Sequence, residues 1–168
     1  VEIHPPEKDI EGTEVVLDGI SDENIEAAKQ NFIDYTDVEL LEQTRFGDVY
    51  EVPENEDASV FVSGLRVASE PNFLFSYNIT NTTKKINDAL NRERSNVGRT
   101  AYSTRVKKIL QACESETVAS RLVDDLNEFV TGETHDELDW KPVQVHAVKI
   151  LNAERDVVVA TYDEQNRS

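Results

Sequence analysis

Arg92 and Arg94 stand one residue apart inside the run Asn91-Arg92-Glu93-Arg94-Ser95. A guanidinium presents its N–H groups as a planar fork that matches two phosphate oxygens at once. Asn91 and Ser95 add neutral hydrogen-bonding groups on either side. At the start of a helix, such a turn also offers unpaired backbone N–H groups and a partial positive charge. The chemistry that suits this combination is phosphate binding, and stabilisation of charge on a phosphoryl group in transfer. The competing assignment is structural, with the arginines pairing to acids of the same protein.

The turn lies inside a wider basic stretch. Between Lys84 and Lys108 stand Lys84, Lys85, Arg92, Arg94, Arg99, Arg105, Lys107 and Lys108, against only Asp88 and Glu93. That local excess of +6 sits in a chain of formal net charge −17. The contrast points to an anionic ligand or to an acidic face of the same protein. Lys84, Lys85, Arg99, Arg105, Lys107 and Lys108 could also track a nucleic-acid backbone, with Tyr102 as a stacking ring. The acidic remainder of the chain opposes that use.

Other chemistry finds less support. His135, Asp136 and Glu137 fall in a polar loop, where such side chains are expected to be solvated. No motif marks a serine or cysteine nucleophile. Cys113 sits on an amphipathic helical stretch and reads as a small core residue. One cysteine with three scattered histidines gives no metal-ligand spacing and excludes an internal disulfide framework. There is no P-loop and no GxGxxG.

The totals frame these sites. A length of 168 residues suits one domain, or one domain with a segment of another. No apolar run reaches the 18 or so residues of a membrane span, and no leader pattern opens the sequence, so a cytoplasmic location is expected. Asp and Glu number 34 against 17 Lys and Arg, and the excess is dispersed rather than gathered in a tail. Such a surface, well hydrated and self-repelling unless counterions screen it, reads as halophile-like; the alternative is an ordinary acidic cytosolic protein. The chain begins at Val1 and holds no methionine, which reads as a piece excised from something longer.

The elements that must position the basic stretch follow from periodicity. Residues 1–12 read as a tail with a Pro-Pro pair, and 13–17 as a strand. Ser21 suits an N-cap for a helix over 22–35, with Ile25, Ala28 and Phe32 on one face. Residues 37–78 read as antiparallel sheet, with hairpin signals at Gly47 and at Ser63-Gly64. Thr80 or Asn81 caps a short helix through Leu90, and 91–96 forms a turn. Helices follow over 99–112 and 116–130. Pro142 opens a further helix with Val145, Val148, Lys149 and Leu151 inward. The run 156–162, DVVVATY, reads as a central strand. The order gives an α+β fold: a mixed, mainly antiparallel sheet with helices layered on one face.

Two stretches carry a family resemblance. Gly12, Thr13, Val15 and Leu17 of EGTEVVLDGI are similar to the "GT-x-V-x-L" strand that closes the nucleotide domain of GHKL ATPases, the superfamily of gyrase, the heat-shock chaperone, histidine kinases and MutL. Leu90, Asn91, Arg92 and Glu93, running into a basic helix, resemble the "LN-x-x-RE" turn of the chaperone's middle domain, with spacing shorter by two residues. Between them ASVFVSGLRV resembles the strand pair that opens the transducer domain. The resemblance implies that residues 1–36 end a nucleotide domain and that 37–168 form a transducer-like α+β domain. It further implies that Arg92 or Arg94, with Asn91 and Ser95, reaches the γ-phosphate of ATP, and that Thr13 approaches the adenine. The superfamily's metal-binding asparagine and its "D-x-G-x-G" loop lie upstream of such a strand and are absent from these residues. The implied protein is then chaperone-like or MutL-like. Mg-ATP is bound only in the full-length form, the principal partner is the nucleotide domain of the same chain, and a homodimer is admitted. Alone, these residues are expected to hold no cofactor and no metal and to be inactive. The alternatives are a non-enzymatic nucleic-acid-binding module on the 84–108 surface, or a scaffold domain.

Overall fold

A computed structural model describes residues 15–93, 97–128 and 134–154. Helix α1 (Asp22–Lys29) comes first, followed by a 3-10 turn at Ile33–Tyr35. Five strands follow: β1 (Leu40–Thr44), β2 (Gly47–Tyr50), β3 (Ala58–Val62), β4 (Leu65–Glu70) and β5 (Ser76–Ile79). Helices α2 (Lys84–Arg92), α3 (Arg99–Leu110) and α4 (Glu116–Glu128) come next, then a 3-10 turn at Asp136–Asp139 and helix α5 (Lys141–Glu154). The fold is α+β, as the periodicities require.

The sheet order is β1-β2-β5-β3-β4. β1 with β2, β2 with β5, and β3 with β4 pair antiparallel, while β3 and β5 run parallel. The register puts Val49, Tyr77 and Val60 in one row, with Ile79 beside Val62 in the next. Since side chains alternate across a strand, these residues share a face. They join one core cluster with Ile86, Val106 and Ile109 of the helices. The opposite face carries Asp48, Asn78 and Phe61, and Asn78 donates its side-chain amide to buried Asp48 at 3.1 Å. At Ser63-Gly64 both residues have positive φ, 49° and 83°, the backbone that a tight hairpin between twisted strands requires.

Several expected boundaries are corrected. α1 stops at Lys29 instead of running to residue 35, because Asn31 and Ile33 leave the helix to bond the edge of β4. The Arg66 N–H donates to the Asn31 carbonyl, and the Ile33 N–H to the Gly64 carbonyl. Of the strand expected over 13–17, residues 15–17 are not strand, and 13–14 lie outside the described residues. The strand expected over 156–162 is likewise outside them. α2 is capped by Thr83, whose hydroxyl accepts from the Ile86 N–H at 3.3 Å, and not by Thr80 or Asn81. On α5 the inward residues are Val143, Ala147 and Leu151, whereas Val145 and Lys149 are exposed. Leu151 is thus inward as expected and Val148 packs partly buried against the core, while Val143 and Ala147 take the places expected of Val145 and Lys149.

Candidate functional site

Asn91 and Arg92 do not form a turn. They are the last two residues of α2, which continues because Ile86 and Ala89 are buried and the Glu93 N–H closes onto the Ala89 carbonyl at 2.8 Å. Arg92 therefore stands at a helix C-terminus, where the carbonyl ends carry partial negative charge and favour the cation itself. α3 starts at Arg99 with Gly98 as its N-cap, so Arg92 is not at the mouth of that helix. Arg94, Ser95 and Thr13 lie outside the described residues. Asn91 and Arg92 are exposed, and among the described residues neither has a carboxylate partner.

The other cations of the stretch divide sharply. Arg99 is the one that acids absorb. Its Nε donates to Glu70 at 2.8 Å, a second N–H donates to the other Glu70 oxygen, and a third reaches Asp136. Its guanidinium also lies 5.0 Å from the Phe73 ring centre. The Tyr102 hydroxyl donates to the same Glu70, which is almost fully buried. This ties the start of α3 to the end of β4 and to the 3-10 turn before α5. Burial and the Glu70 hydrogen bond push the Tyr102 phenol well above its ordinary range. Tyr102 is only 2% exposed, so it cannot stack a base, and the nucleic-acid reading loses both its ring and Arg99.

Among the described residues, no carboxylate pairs with Lys84, Lys85, Arg92, Arg105, Lys107 or Lys108. The Arg45, Arg105 and Lys108 head groups gather around the Phe46 ring at 4.7, 5.1 and 5.9 Å from its centre, and Lys107 lies 4.7 Å from that of Trp140. These are cation–π contacts, which hold a positive charge in place without cancelling it. Lys85 donates to the Thr100 carbonyl. The role of Arg45 and Phe46 was not visible in the sequence, because they are remote from the basic stretch and reach it through the β1–β2 hairpin.

The His135-Asp136-Glu137 group is not a solvated loop. Glu137 is fully buried. Its carboxylate accepts from the Leu74 N–H at 3.0 Å, the Phe75 N–H at 3.3 Å and the Tyr77 hydroxyl at 2.8 Å. Burial raises its pKa to about 7, although those hydrogen bonds favour the charged form. His135 bonds Asp125 through Nδ1 at 2.8 Å and through its backbone N–H at 3.1 Å. All three residues fasten the segment before α5 to its surroundings. The sequence signal was the presence of two large apolar residues, Leu138 and Trp140, among the acids; Leu138 is buried and Trp140 packs against the core. Cys113 is buried, and burial with nearby Glu42 pushes its thiol far up, so it is no nucleophile. No cluster of three metal-ligating side chains occurs among the described residues.

The family described as the Mycoplasma pneumoniae MPN635 N-terminal domain matches residues 23–116. The chain belongs to that family. The MPN635 N-terminal match covers α1, the whole sheet, α2 and α3, and therefore the basic stretch and the Phe46 cluster, but not Glu137. An uncharacterised protein of Mycoplasma pneumoniae is 29% identical over 171 residues, covering 99% of this chain and 47% of its own length. A second from the same organism is 31% identical over 102 residues, covering 60% of this chain and 40% of its own. The chain thus spans less than half the length of these curated relatives. No solved structure matches it.

Proposed function

We propose that this chain is the transducer portion of a chaperone-like or MutL-like GHKL ATPase, in which Arg92 or Arg94 meets the γ-phosphate of ATP held by a nucleotide domain elsewhere in the full-length protein. The observation that carries the reading is the state of Arg92. In a chain with twice as many acids as bases, it is exposed at the end of α2 and free of any described carboxylate. An arginine engaged in internal ion pairing has the environment of Arg99 instead. Of the elements named by the resemblance, the β3–β4 hairpin and the basic helix from Arg99 follow in its order, whereas residues 15–17 are not strand and Asn91-Arg92 end a helix instead of forming a turn.

A second feature supports the partner. Val15, Val16, Leu17 and Tyr35 are 74, 73, 69 and 63% exposed, and α1 buries none of its residues. Exposed apolar residues of this kind mark a surface that another body covers, and the reading supplies one in the rest of the nucleotide domain, whose end residues 1–36 form. ATP binding would then draw the two together, and nucleotide state would pass on as a rigid-body closure. The experiment is fluorescence energy transfer in the full-length protein between a dye on α5 and a dye on the nucleotide domain. A non-hydrolysable ATP analogue is expected to raise the transfer efficiency. Unchanged efficiency at saturating analogue sinks the reading.

A further inference from the structure

A small cavity of about 240 Å³ opens between the start of α2 and the outer face of α3. It is lined by Thr83, Lys85, Ala101, Thr104, Arg105 and Lys108. Three of these six are cations, two carry hydroxyls and none is an acid. That composition is notable in a chain with 34 carboxylates and 17 Lys and Arg, where a cation-lined cavity would ordinarily acquire an acidic neighbour. We propose that this cavity binds a phosphate group, free or as a small phosphoester.

Three independent observations point to an anion. The first is Arg105. It is more than nine-tenths buried, and its Nε is the buried side-chain polar atom left without a hydrogen-bond partner among the described residues. A buried donor with no acceptor is costly, and such a group calls for a missing partner. The second is the start of α2. Lys84 and Lys85 occupy its first turn, which holds no acidic residue. The helix dipole disfavours cations there, and an anion at the same end reverses the sign of that interaction. The third is the placement of the charges. Arg105 and Lys108 are drawn together at the Phe46 ring without a carboxylate between them. A doubly charged oxyanion offsets their mutual repulsion and that of Lys85 at once.

The chemical roles divide by residue. Arg105 supplies its guanidinium, Lys85 and Lys108 supply ammonium charge, and the Thr104 hydroxyl supplies a neutral donor. Glu42 and Glu114 line a neighbouring, larger cavity with Lys108. Glu42 is already engaged there, accepting from the Glu114 and Ser115 N–H groups at 2.6 and 3.1 Å. The cavity is distinct from the Arg92 end of α2. Nine residues of rise separate Thr83 from Arg92, about 13 Å, so this site does not rest on the ATPase reading.

The test is an NMR titration of the chain at fixed high KCl, following the arginine Nε–Hε signals as inorganic phosphate is added. Arg105→Lys assigns the signal, and glycerol phosphate is titrated in parallel. A saturable shift of the Arg105 signal is expected. Lys108→Ala and Thr104→Val, both at exposed positions, are each expected to weaken the response about tenfold. A tighter response to glycerol phosphate assigns the site to esters, and a tighter response to phosphate assigns it to the free ion. The proposal is overturned if the shift does not saturate, if added KCl reproduces it, or if Lys108→Ala leaves it unchanged.

Discussion

Glu137 is a carboxyl group held away from water by the very strand it fastens. Leu74, Phe75 and Tyr77 all donate to it, so one side chain satisfies three donors on the approach to β5 and within it. Removing it leaves those donors buried and unmatched. Glu137→Ala is therefore expected to lower the unfolding free energy by about 3–5 kcal/mol, read from urea denaturation. The pH dependence has a definite sign. The folded pKa is about 7 and the ordinary value 4.5, so the folded state keeps its proton in a range where the unfolded chain has released it. Stability contributed by this group is whole below about pH 4.5 and is lost as pH rises to about 7. Glu137→Gln cannot titrate, so the gap between wild type and this variant must change across that window. Parallel stability curves would show that Glu137 does not titrate there.

At the scale of elements, the sheet hangs on one close approach. A Cβ on Gly47 would stand 2.3 Å from the Asn78 carbonyl oxygen and 2.8 Å from Ile109 Cδ1. β2 thus packs against β5 and α3 with no room for a side chain, and Gly47→Ala is expected to cost about 2–3 kcal/mol. Denaturation at wild-type stability would contradict that. The sequence marked Gly47 as a hairpin glycine, although its hindrance comes first from the backbone of β5 and then from α3, both remote in sequence. The same division runs through the chain. Ser63-Gly64, the N-cap Ser21 and the inward row Tyr102, Val106, Ile109 and Leu110 were legible because local backbone chemistry and periodicity determine them. The end of α1 was not, because Asn31 and Ile33 are taken by the edge of β4, a partner remote in sequence. The candidate site follows suit. The basic run could be read directly, but which cations acids neutralise could not, since Arg99 meets Glu70 and Asp136 only through the fold.

At the scale of the whole molecule, a net charge of −17 repels phosphate from afar, while the α2–α3 face attracts it at close range. Salt separates the two effects. The screening length is about 10 Å at 0.1 M and about 3 Å at 1 M, so high KCl removes the distant repulsion and spares short, partly buried contacts. No described helix is long and apolar enough to cross a membrane. The Arg99–Glu70–Asp136 network and the Glu137 anchor couple α3, β4, β5 and the segment before α5. We propose that an arginine at the end of α2 meets ATP. The most direct measurement is ATP turnover by the full-length protein in high KCl, with Arg92→Ala and Arg94→Ala made separately. One of the two variants is expected to lose about 10²–10³-fold in kcat, the usual cost of removing a donor from a developing phosphoryl charge. Wild-type turnover in both variants would contradict the account.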